Sequence, residues 1–332
     1  MPGEEVGRLD QVVVDADEDQ VFSSHRSAPR AIGWLPDGKY YSTYREVNVV
    51  SCVTGGCIVE SEFVRYSVQD GVAVITLDRP QAANAQNPQV LKELDAAWSA
   101  SDADKDVRVV VLRSEGKHFS AGHDMQGGGD PSLGPRRVDG ALTIDTYYDW
   151  EERGYLHYAR RWRDLVKPSI AAVQGKCIAA GLMLCWPCDL IIAAENAQFS
   201  DPVGLMGMPG IEFFAHPWEF GPRRAKQILF TASSLSAERA WDCGMVNEVV
   251  PLEQLDERTM ALAAQVAAMD PWAVRLAKRA VNGAVDAMGF SNSIAANFDI
   301  HHLGHARAIA HTAGQTSVMA DLAAMKARNG NG

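Results

Sequence analysis

The stretch that decides the fold reads Lys117-His118-Phe119-Ser120-Ala121-Gly122-His123-Asp124-Met125, and a second stretch of the same kind reads Gln174-Gly175-Lys176-Cys177-Ile178-Ala179-Ala180-Gly181-Leu182. Each follows an apolar run, 107–112 and 169–173, of the kind found in strands buried on both faces. Small residues followed by helix formers place exposed peptide N–H groups at a helix start. Two such turns at neighbouring strand ends could direct two N–H groups at one oxygen, forming an oxyanion hole. The alternative is that both turns are tight connections and nothing more.

The flanking sequence predicts an α/β unit with mainly parallel strands. Asp70-Gly71 favours a hairpin turn, Asn87-Pro88 an N-cap with proline at the first helical position, and 190–194 a third buried strand. Strands that alternate with helical patterns are typical of this class. From Glu253 onward the periodicity is helical, and Asp270-Pro271 predicts the start of a further helix.

Composition excludes several classes of partner. The chain has 332 residues, 47% of them hydrophobic, and a formal net charge of −11. Nucleic acids and anionic membrane surfaces favour basic proteins, so neither is expected as a partner. There is no apolar run long enough for a membrane span, no secretory signal pattern at the N-terminus, and six cysteines are too few for a disulfide scaffold. We therefore expect a cytoplasmic protein.

Three segments are expected along the chain. Residues 1–62 lack a sustained period and predict a poorly ordered N-terminal extension. Residues 63–269 carry the α/β pattern, and 270–332 form a helical region expected to mediate oligomerisation.

Four segments in order resemble the signatures of the crotonase superfamily, the enoyl-CoA hydratase/isomerase family. The resemblance runs from about Phe63 to about Met288 and rests on Phe119–Met125, on Lys167–Gly175 with Ala180-Gly181 and Cys188-Asp189, on Ala197–Pro202 with Gly207–Gly210, and on Ala237–Val250. It implies a spiral of ββα turns with a helical C-terminal region, assembled as a homotrimer or a dimer of trimers. It also implies an acyl-CoA substrate, as in fatty acid metabolism, with coenzyme A as part of that substrate and no tightly bound cofactor.

The resemblance also assigns site residues. The main-chain N–H groups of His123 and Ala180 become the donors to the thioester oxygen, and the side chain of His123 is not needed for that role. The residues assigned to substrate binding are Ser120, Ala121, Asp124, Met125, Ala179, Gly181, Met183 and Val203.

The sequence departs from the hydratase pattern at both catalytic glutamates. Their positions are occupied here by Met183 and Val203, which cannot transfer a proton. Glu212 and His216 are the candidate replacements, and they would share a face if 212–216 were helical, although Pro217 disfavours helix at His216.

Structural roles remain open for the nearby polar groups. For Glu212 the alternative is a cap or an ion pair with Arg223 or Arg224, and for His216 it is a hydrogen-bonded histidine in a pocket wall. Asp124 is as well explained by backbone N–H bonds at a helix start, and Asp201 by a cap before Pro202.

Other motifs are given no catalytic role. Cys185-Trp186-Pro187-Cys188 lies at a helix end rather than a helix start, which argues against a redox pair. His301, His302, His305 and His311 lack the H-E-x-x-H pattern, so we expect a solvated or subunit-contact face and no metal site. Gly127-Gly128-Gly129 is interpreted as a mobile loop over the ligand entrance.

The sequence therefore predicts hydration or dehydration of a 2-enoyl-CoA through an oxyanion-stabilised enolate. Double-bond isomerisation is a close alternative, because it needs one proton shuttle. A different class of function, acyl-CoA binding without catalysis, is favoured by the two apolar residues at the glutamate positions.

Overall fold

The computed structural model describes residues 61–125, 131–312 and 314–318, together with the backbone of four short strands between residues 33 and 59. These strands form two antiparallel ribbons, β1 (Gly33–Trp34) with β2 (Tyr40–Tyr41), and β3 (Val50–Val53) with β4 (Gly56–Val59). Most of the predicted extension, 1–62, and the predicted loop 127–129 lie outside the described residues.

In the described part of the chain, nine further strands build two sheets. In chain order they are β5 (Val64–Gln69), β6 (Val72–Leu77), β7 (Val109–Ser114), β8 (Ser169–Val173), β9 (Lys176–Ile178), β10 (Leu190–Ala194), β11 (Gln198–Ser200), β12 (Ser234–Ser236) and β13 (Glu248–Val250). The larger sheet has the order β13-β10-β8-β7-β6-β5, and the smaller has the order β12-β11-β9.

The larger sheet is parallel except at its β5–β6 edge. Asp70 and Gly71, which join β5 to β6, both have positive φ, as the predicted hairpin turn requires. Strand β8 passes to β9 of the smaller sheet through Gly175, whose φ is +56°. A Cβ at this glycine would lie 2.0 Å from the carbonyl oxygen of Lys117. Glycine is therefore required where the first turn approaches the second.

Ten α-helices surround the sheets in the described part of the chain. They are α1 (Pro88–Ala103), α2 (Ile144–Glu151), α3 (His157–Arg163), α4 (Leu182–Cys185), α5 (His216–Phe220), α6 (Pro222–Thr231), α7 (Ala237–Asp242), α8 (Leu255–Ala267), α9 (Pro271–Ala287) and α10 (Phe290–His311). A π-helical turn, Glu152–Leu156, joins α2 to α3. None of these helices is long and apolar enough to cross a membrane.

Local signals place the helix starts. The side chain of Asn87 accepts a hydrogen bond from the N–H of Val90 at 2.8 Å, and that of Asp270 accepts from Ala273 at 2.8 Å. Both are the predicted N-caps, each followed by a proline at the first helical position.

The hydrophobic core lies on both faces of the larger sheet. One face packs against α1 and α3, where Leu94, Trp98 and Trp162 are buried. The other face packs against α8 through Leu255 and Ala263. Burial on both faces explains the continuous apolar runs in β7, β8 and β10. Helix α9, by contrast, has no buried residue within this single chain.

Candidate active site

The first glycine turn runs between two other segments of the chain. Ser120 pairs with Cys177 of β9, and His123 pairs with Gln86, which lies just before α1. The N–H of Ile178 donates to the Ser120 carbonyl at 2.9 Å, and the N–H of Asp124 donates to the Gln86 carbonyl at 2.9 Å. Within residues 121–125 no helix follows this turn, so the predicted helix start is wrong here. His123 instead forms a single parallel β-bridge with Gln86.

The two predicted oxyanion donors lie in segments that touch. Gln86 bonds to the carbonyl of Gly122 and to the N–H of Asp124, so the N–H of His123 itself is directed away from Gln86. Ala180 is the second residue of the 3₁₀ turn Ala179–Gly181, whose first N–H groups have no acceptor inside the turn. A Cβ at Gly122 would lie 3.3 Å from the nitrogen of Ala180. Main-chain geometry therefore sets the direction of the N–H groups of both His123 and Ala180.

Close backbone approach explains the small residues of both turns. Gly122 has a φ of +88°, and its Cβ would lie 2.8 Å from the Ile178 carbonyl oxygen. At Gly181 a Cβ would lie 2.7 Å from the Ser120 carbonyl oxygen. Side chains at either position would force the turns apart.

Gln86 connects the two turns, although no motif in the sequence identifies it. Its Nε2 donates to the Ala180 carbonyl at 2.9 Å and to Ser120 Oγ at 3.1 Å, and the residue is only 2% exposed. Ser120 Oγ in turn donates to the Asn84 carbonyl at 2.8 Å. The hydroxyl of Ser120 thus forms its hydrogen bonds within the protein. The sequence predicts a role in substrate binding for Ser120.

The other residues predicted to bind substrate differ in exposure. Ala121 and Met125 are exposed, Ala179 is partly exposed, Gly181 and Met183 are buried, and Val203 packs against the core. Asp124 forms an ion pair with Arg79 at 2.7 Å. The guanidinium of Arg79 therefore stabilises the carboxylate of Asp124. The sequence suggests backbone N–H groups as partners of this carboxylate.

Glu212 contacts the imidazole of His123. Its Oε1 accepts a hydrogen bond from Nε2 of His123 at 3.1 Å, and the residue is 3% exposed. The alternative ion pair with Arg223 or Arg224 is not formed. Burial by itself would raise the pKa of Glu212, but the charge and hydrogen bond of His123 outweigh it and hold the pKa below its ordinary value. The ring of His123 also stacks on Tyr155 at 4.0 Å between centroids.

His216 does not share a helix face with Glu212, because the condition for that pairing, a helix over 212–216, is not met. Helix α5 begins at His216, and the residues before it are not helical. The Nε2 of His216 donates to Asp201 at 2.9 Å, and both side chains are fully buried. Asp201 also accepts from the N–H groups of Val203 and Ile211, which includes the cap suggested by the sequence.

A cluster of histidines on α10 lies beside Glu212. His301, His302 and His305 are 4–6% exposed, so the predicted solvated or subunit-contact face is wrong for these three, whereas His311 is exposed. The physical reason is Glu151, a buried carboxylate at the end of α2, against which this face of α10 packs.

All three imidazoles are oriented in the same way. Each Nδ1 donates to a carbonyl oxygen: His301 to Gly210 at 2.7 Å, His302 to Phe298 at 3.1 Å and His305 to Thr316 at 2.6 Å. Their Nε2 atoms surround Glu151 Oε2 at 3.5, 3.2 and 3.6 Å, respectively. Glu212 Oε1 lies 3.8 Å from Nε2 of His301, which joins this cluster to the Glu212–His123 pair.

Charge in the cluster is unevenly shared. Burial lowers the pKa of His301, but the contact with Glu151 and the negative charges of Glu212 and Glu151 raise it to about 9. Burial lowers the pKa of His305, and the neighbouring His301 adds to that effect. Although burial would raise the pKa of Glu151, the adjacent imidazoles of His301, His302 and His305 keep it well below its ordinary value.

The cysteine pair has the surroundings of buried structural thiols. Cys185 and Cys188 are buried, and burial raises the pKa of both well above the ordinary value. The Sγ of Cys185 lies 3.8 Å from that of Cys177, and both are free thiols. A redox role would need a stabilised thiolate, which these surroundings disfavour.

Known proteins resemble this chain over most of its length. The sequence profile of the family described as enoyl-CoA hydratase/isomerase matches residues 67–312. A Mycobacterium tuberculosis protein named "Putative enoyl-CoA hydratase EchA13" is 44% identical over 260 residues, which cover 74% of this chain and 82% of that protein. The short-chain-enoyl-CoA hydratase of Clostridium acetobutylicum is 35% identical over 214 residues, 64% of this chain and 77% of that protein.

Solved structures show the same likeness. The crystal structure of a probable enoyl-CoA hydratase from Mycobacterium smegmatis has a TM-score of 0.72 and 50% identity, and covers 77% of this chain and 99% of that one. An enoyl-CoA hydratase/isomerase from Xanthobacter autotrophicus Py2 has a TM-score of 0.67 and 32% identity, and covers 74% of this chain and 88% of that one.

Proposed function

The chain belongs to the enoyl-CoA hydratase/isomerase family, and we propose that it hydrates or dehydrates a 2-enoyl-CoA with Glu212 as the acid–base group. The observation that carries the proposal is the double role of His123. Its main-chain N–H belongs to the glycine turn that touches Ala180, while its imidazole contacts the buried carboxylate of Glu212. Oxyanion stabilisation and proton transfer would thus meet at one residue.

The main-chain half of the site would hold the thioester oxygen. Attack on the β-carbon of a conjugated thioester moves negative charge onto that oxygen, and the N–H groups of His123 and Ala180 would stabilise the charge. Loss of one such donor typically costs about 2.7–4 kcal/mol in the barrier. Gln86 supports this arrangement by bonding to both turns.

Glu212 would handle the protons of the reaction. In its ionised form it would accept a proton from water as the water oxygen bonds to the β-carbon. The same proton would then be delivered to the α-carbon as the enolate collapses, so that one carboxylate completes the addition. General acid–base catalysis of this kind contributes about 10²–10⁴-fold. Met183 and Val203 can do neither step.

Isomerisation is the second candidate, supported by the same carboxylate. Moving a double bond requires removal of a proton from one carbon and delivery to another, which one group can perform. Coenzyme A would enter as part of the substrate in either case, and neither reaction uses a resident organic cofactor. A cytoplasmic location stays a prediction.

The assembly is proposed to be a homotrimer or a dimer of trimers. Helix α9 has no buried residue in the single chain and exposes Trp272, Leu276 and Val281. Such a face is typical of a surface covered by a partner. Sedimentation velocity of the purified chain measures the number of copies.

Kinetics with crotonyl-CoA and longer 2-enoyl-CoA esters test the proposal. The absorbance of the conjugated thioester falls on hydration, and Glu212→Gln is expected to lower kcat by about 10²–10⁴-fold. Glu219→Gln is the matched control, because Glu219 is a carboxyl group whose surroundings also desolvate it and which has no assigned part in the chemistry.

Two results would contradict the proposal. Unchanged turnover in Glu212→Gln would remove this residue from the mechanism. Tight binding of the esters by the wild type without hydration or isomerisation would identify a non-catalytic acyl-CoA-binding protein.

A further inference from the structure

The ligand-bearing atoms around Glu151 form a set that the proposed function does not use. Glu151, His301 and His305 each offer one ligand atom, and these three atoms lie within 4.8 Å of one another in the protein interior. The two histidines are one helical turn apart on α10, and the glutamate comes from α2, about 150 residues earlier in the chain.

The orientation of the imidazoles is that of metal ligands. Because carbonyl oxygens only accept hydrogen bonds, Nδ1 of His301 and of His305 must carry a proton. The Nε2 atom of each ring therefore lies toward the cluster, and both offer a lone pair to a metal ion that displaces the proton shared between them. Ligating histidines commonly donate their other N–H to a carbonyl in this way, which fixes both the tautomer and the ring orientation.

The separations fit a tetrahedral ion. With metal–ligand bonds of about 2.0–2.1 Å, the edges of a tetrahedron are about 3.3–3.4 Å long. The three edges here are 2.8 Å between the two Nε2 atoms, 3.5 Å from Glu151 Oε2 to His301 and 3.6 Å from Glu151 Oε2 to His305. They bracket the ideal value.

Unpartnered atoms also point to a ligand at this place. Among the described residues, Glu151 Oε2 and His302 Nε2 are buried without a hydrogen-bond partner, although they lie 3.2 Å apart. Glu212 Oε2 is likewise buried and unpartnered. A buried polar atom without a hydrogen-bond partner lowers the stability of the folded chain. A proton shared between His301 and His305 does not provide a partner for Glu151 Oε2, His302 Nε2 or Glu212 Oε2.

Charge balance favours a divalent cation. The carboxylates of Glu151 and Glu212 both lie inside the protein next to His301, and the proton between His301 and His305 offsets only part of their negative charge. An ion of charge +2 would balance both. Imidazole nitrogens together with one carboxylate form a donor set that suits zinc and related transition metals.

We propose that Glu151, His301 and His305 bind one divalent transition-metal ion of the zinc type, with the fourth position open toward His302 and Glu212. This site goes beyond the proposed function, since it involves neither glycine turn and needs no thioester. Three protein ligands and one open position is the composition of catalytic rather than structural zinc sites.

Metal binding by the full chain, with any affinity tag removed, tests the proposal. The protein is stripped with a chelator and titrated with Zn²⁺ against a chromophoric competitor. We expect one equivalent per chain with a Kd in the micromolar range or tighter. Co²⁺ in place of Zn²⁺ is expected to give the intense visible absorption of a four-coordinate site.

Variants locate the ion. His305→Gln and Glu151→Gln are expected to weaken Zn²⁺ binding at least tenfold, whereas His311→Gln, an exposed residue on the same helix, should bind as the wild type does. Circular dichroism of each variant checks that α10 is retained. The Co²⁺ spectrum of the wild type needs no variant, so it stands even if one of them fails to fold.

Two outcomes would overturn the proposal. One is less than a tenth of an equivalent of Zn²⁺ bound by the wild type at micromolar free metal, which would leave the shared proton as the explanation of the cluster. The other is unchanged binding by both His305→Gln and Glu151→Gln. Neither depends on turnover of an enoyl-CoA, so this site and the proposed function can fail separately.

Discussion

The two halves of the candidate site are built in different ways. The main-chain half consists of two short contiguous turns, 119–125 and 174–182, in which glycines permit backbones to approach closely. The side-chain half combines Glu151, Glu212 and the histidines of α10, which lie far apart in the chain. A site made of peptide groups leaves a local signature in the sequence, whereas one made of converging side chains depends on how distant elements pack.

The largest expected effect comes from breaking the main-chain half. In Gly122→Ala the new Cβ would meet the Ile178 carbonyl at 2.8 Å and displace the neighbouring turn. We expect kcat for crotonyl-CoA to fall by about 10²–10³-fold, the typical cost of one lost oxyanion donor. Steady-state kinetics measure it.

Gly244→Ala is the matched control for that change. Gly244 has a similar positive φ of +82°, but nothing lies within 4 Å of its Cβ position. Both variants thus share the backbone strain, and only Gly122→Ala adds the collision. Equal losses in the two would show that strain alone accounts for the effect and that the contact between the turns does not matter.

A smaller effect is expected where the two halves meet. His123→Gln keeps the main-chain N–H but removes the imidazole that contacts Glu212. Loss of a hydrogen bond to a charged group costs about 1.5 kcal/mol or more, so kcat should fall by about tenfold. The same assay measures it, and a loss as large as that of Gly122→Ala would mean that the side chain, rather than the peptide group, is the principal contribution of this residue.

The smallest effect concerns a carboxyl that has no histidine partner. Burial alone raises the pKa of Glu219 to about 8, in contrast to Glu212 and Glu151, where histidines lower it. At pH values below the ordinary pKa of a glutamate, the carboxyl group of Glu219 is neutral in both the folded and the unfolded chain. As the pH rises toward 8, only the unfolded chain ionises, so stability is lost.

Glu219→Gln should therefore raise Tm at pH 9 and leave it nearly unchanged at pH 5. The size is a few degrees, since about 1 kcal/mol corresponds to roughly 2–4 °C in larger domains. Thermal denaturation at both pH values measures it, with the exposed Glu253→Gln as control. A destabilised variant at pH 9 would mean that the carboxylate is ionised and stabilising in the folded chain.

Much of the scaffold could be predicted from local patterns. The apolar runs coincide with β8 and β10 residue for residue, and the caps at Asn87 and Asp270 mark the starts of α1 and α9. Burial on both faces, hairpin turns and caps are each encoded within a few residues. The close approach of the two glycine turns could be predicted for the same reason, because glycine at such a contact is a local requirement. That the N–H groups of His123 and Ala180 act as oxyanion donors stays a prediction.

The side-chain half could not be predicted in this way. The spacing of His301 and His305 is visible in the sequence, but without the glutamate of an H-E-x-x-H pattern it indicates a solvated face as readily as a site. Glu151 supplies the missing carboxylate from another helix, and only the packing of α10 on α2 reveals it. Gln86 was missed because its side-chain partners, Ser120 and Ala180, are set by tertiary structure.

The π-helical turn Glu152–Leu156 has a consequence for how such a cluster could be gained or lost. One extra residue in a helical turn rotates everything before it by about 100° relative to everything after it. Helix α3 is anchored in the core by Ala159 and Trp162, so the direction of Glu151 depends on that extra residue. Deleting a single amino acid here would swing the carboxylate off α10 while leaving every histidine in place. A change of one residue in the length of this helix would thus be enough to replace the buried side chain that faces the histidines of α10.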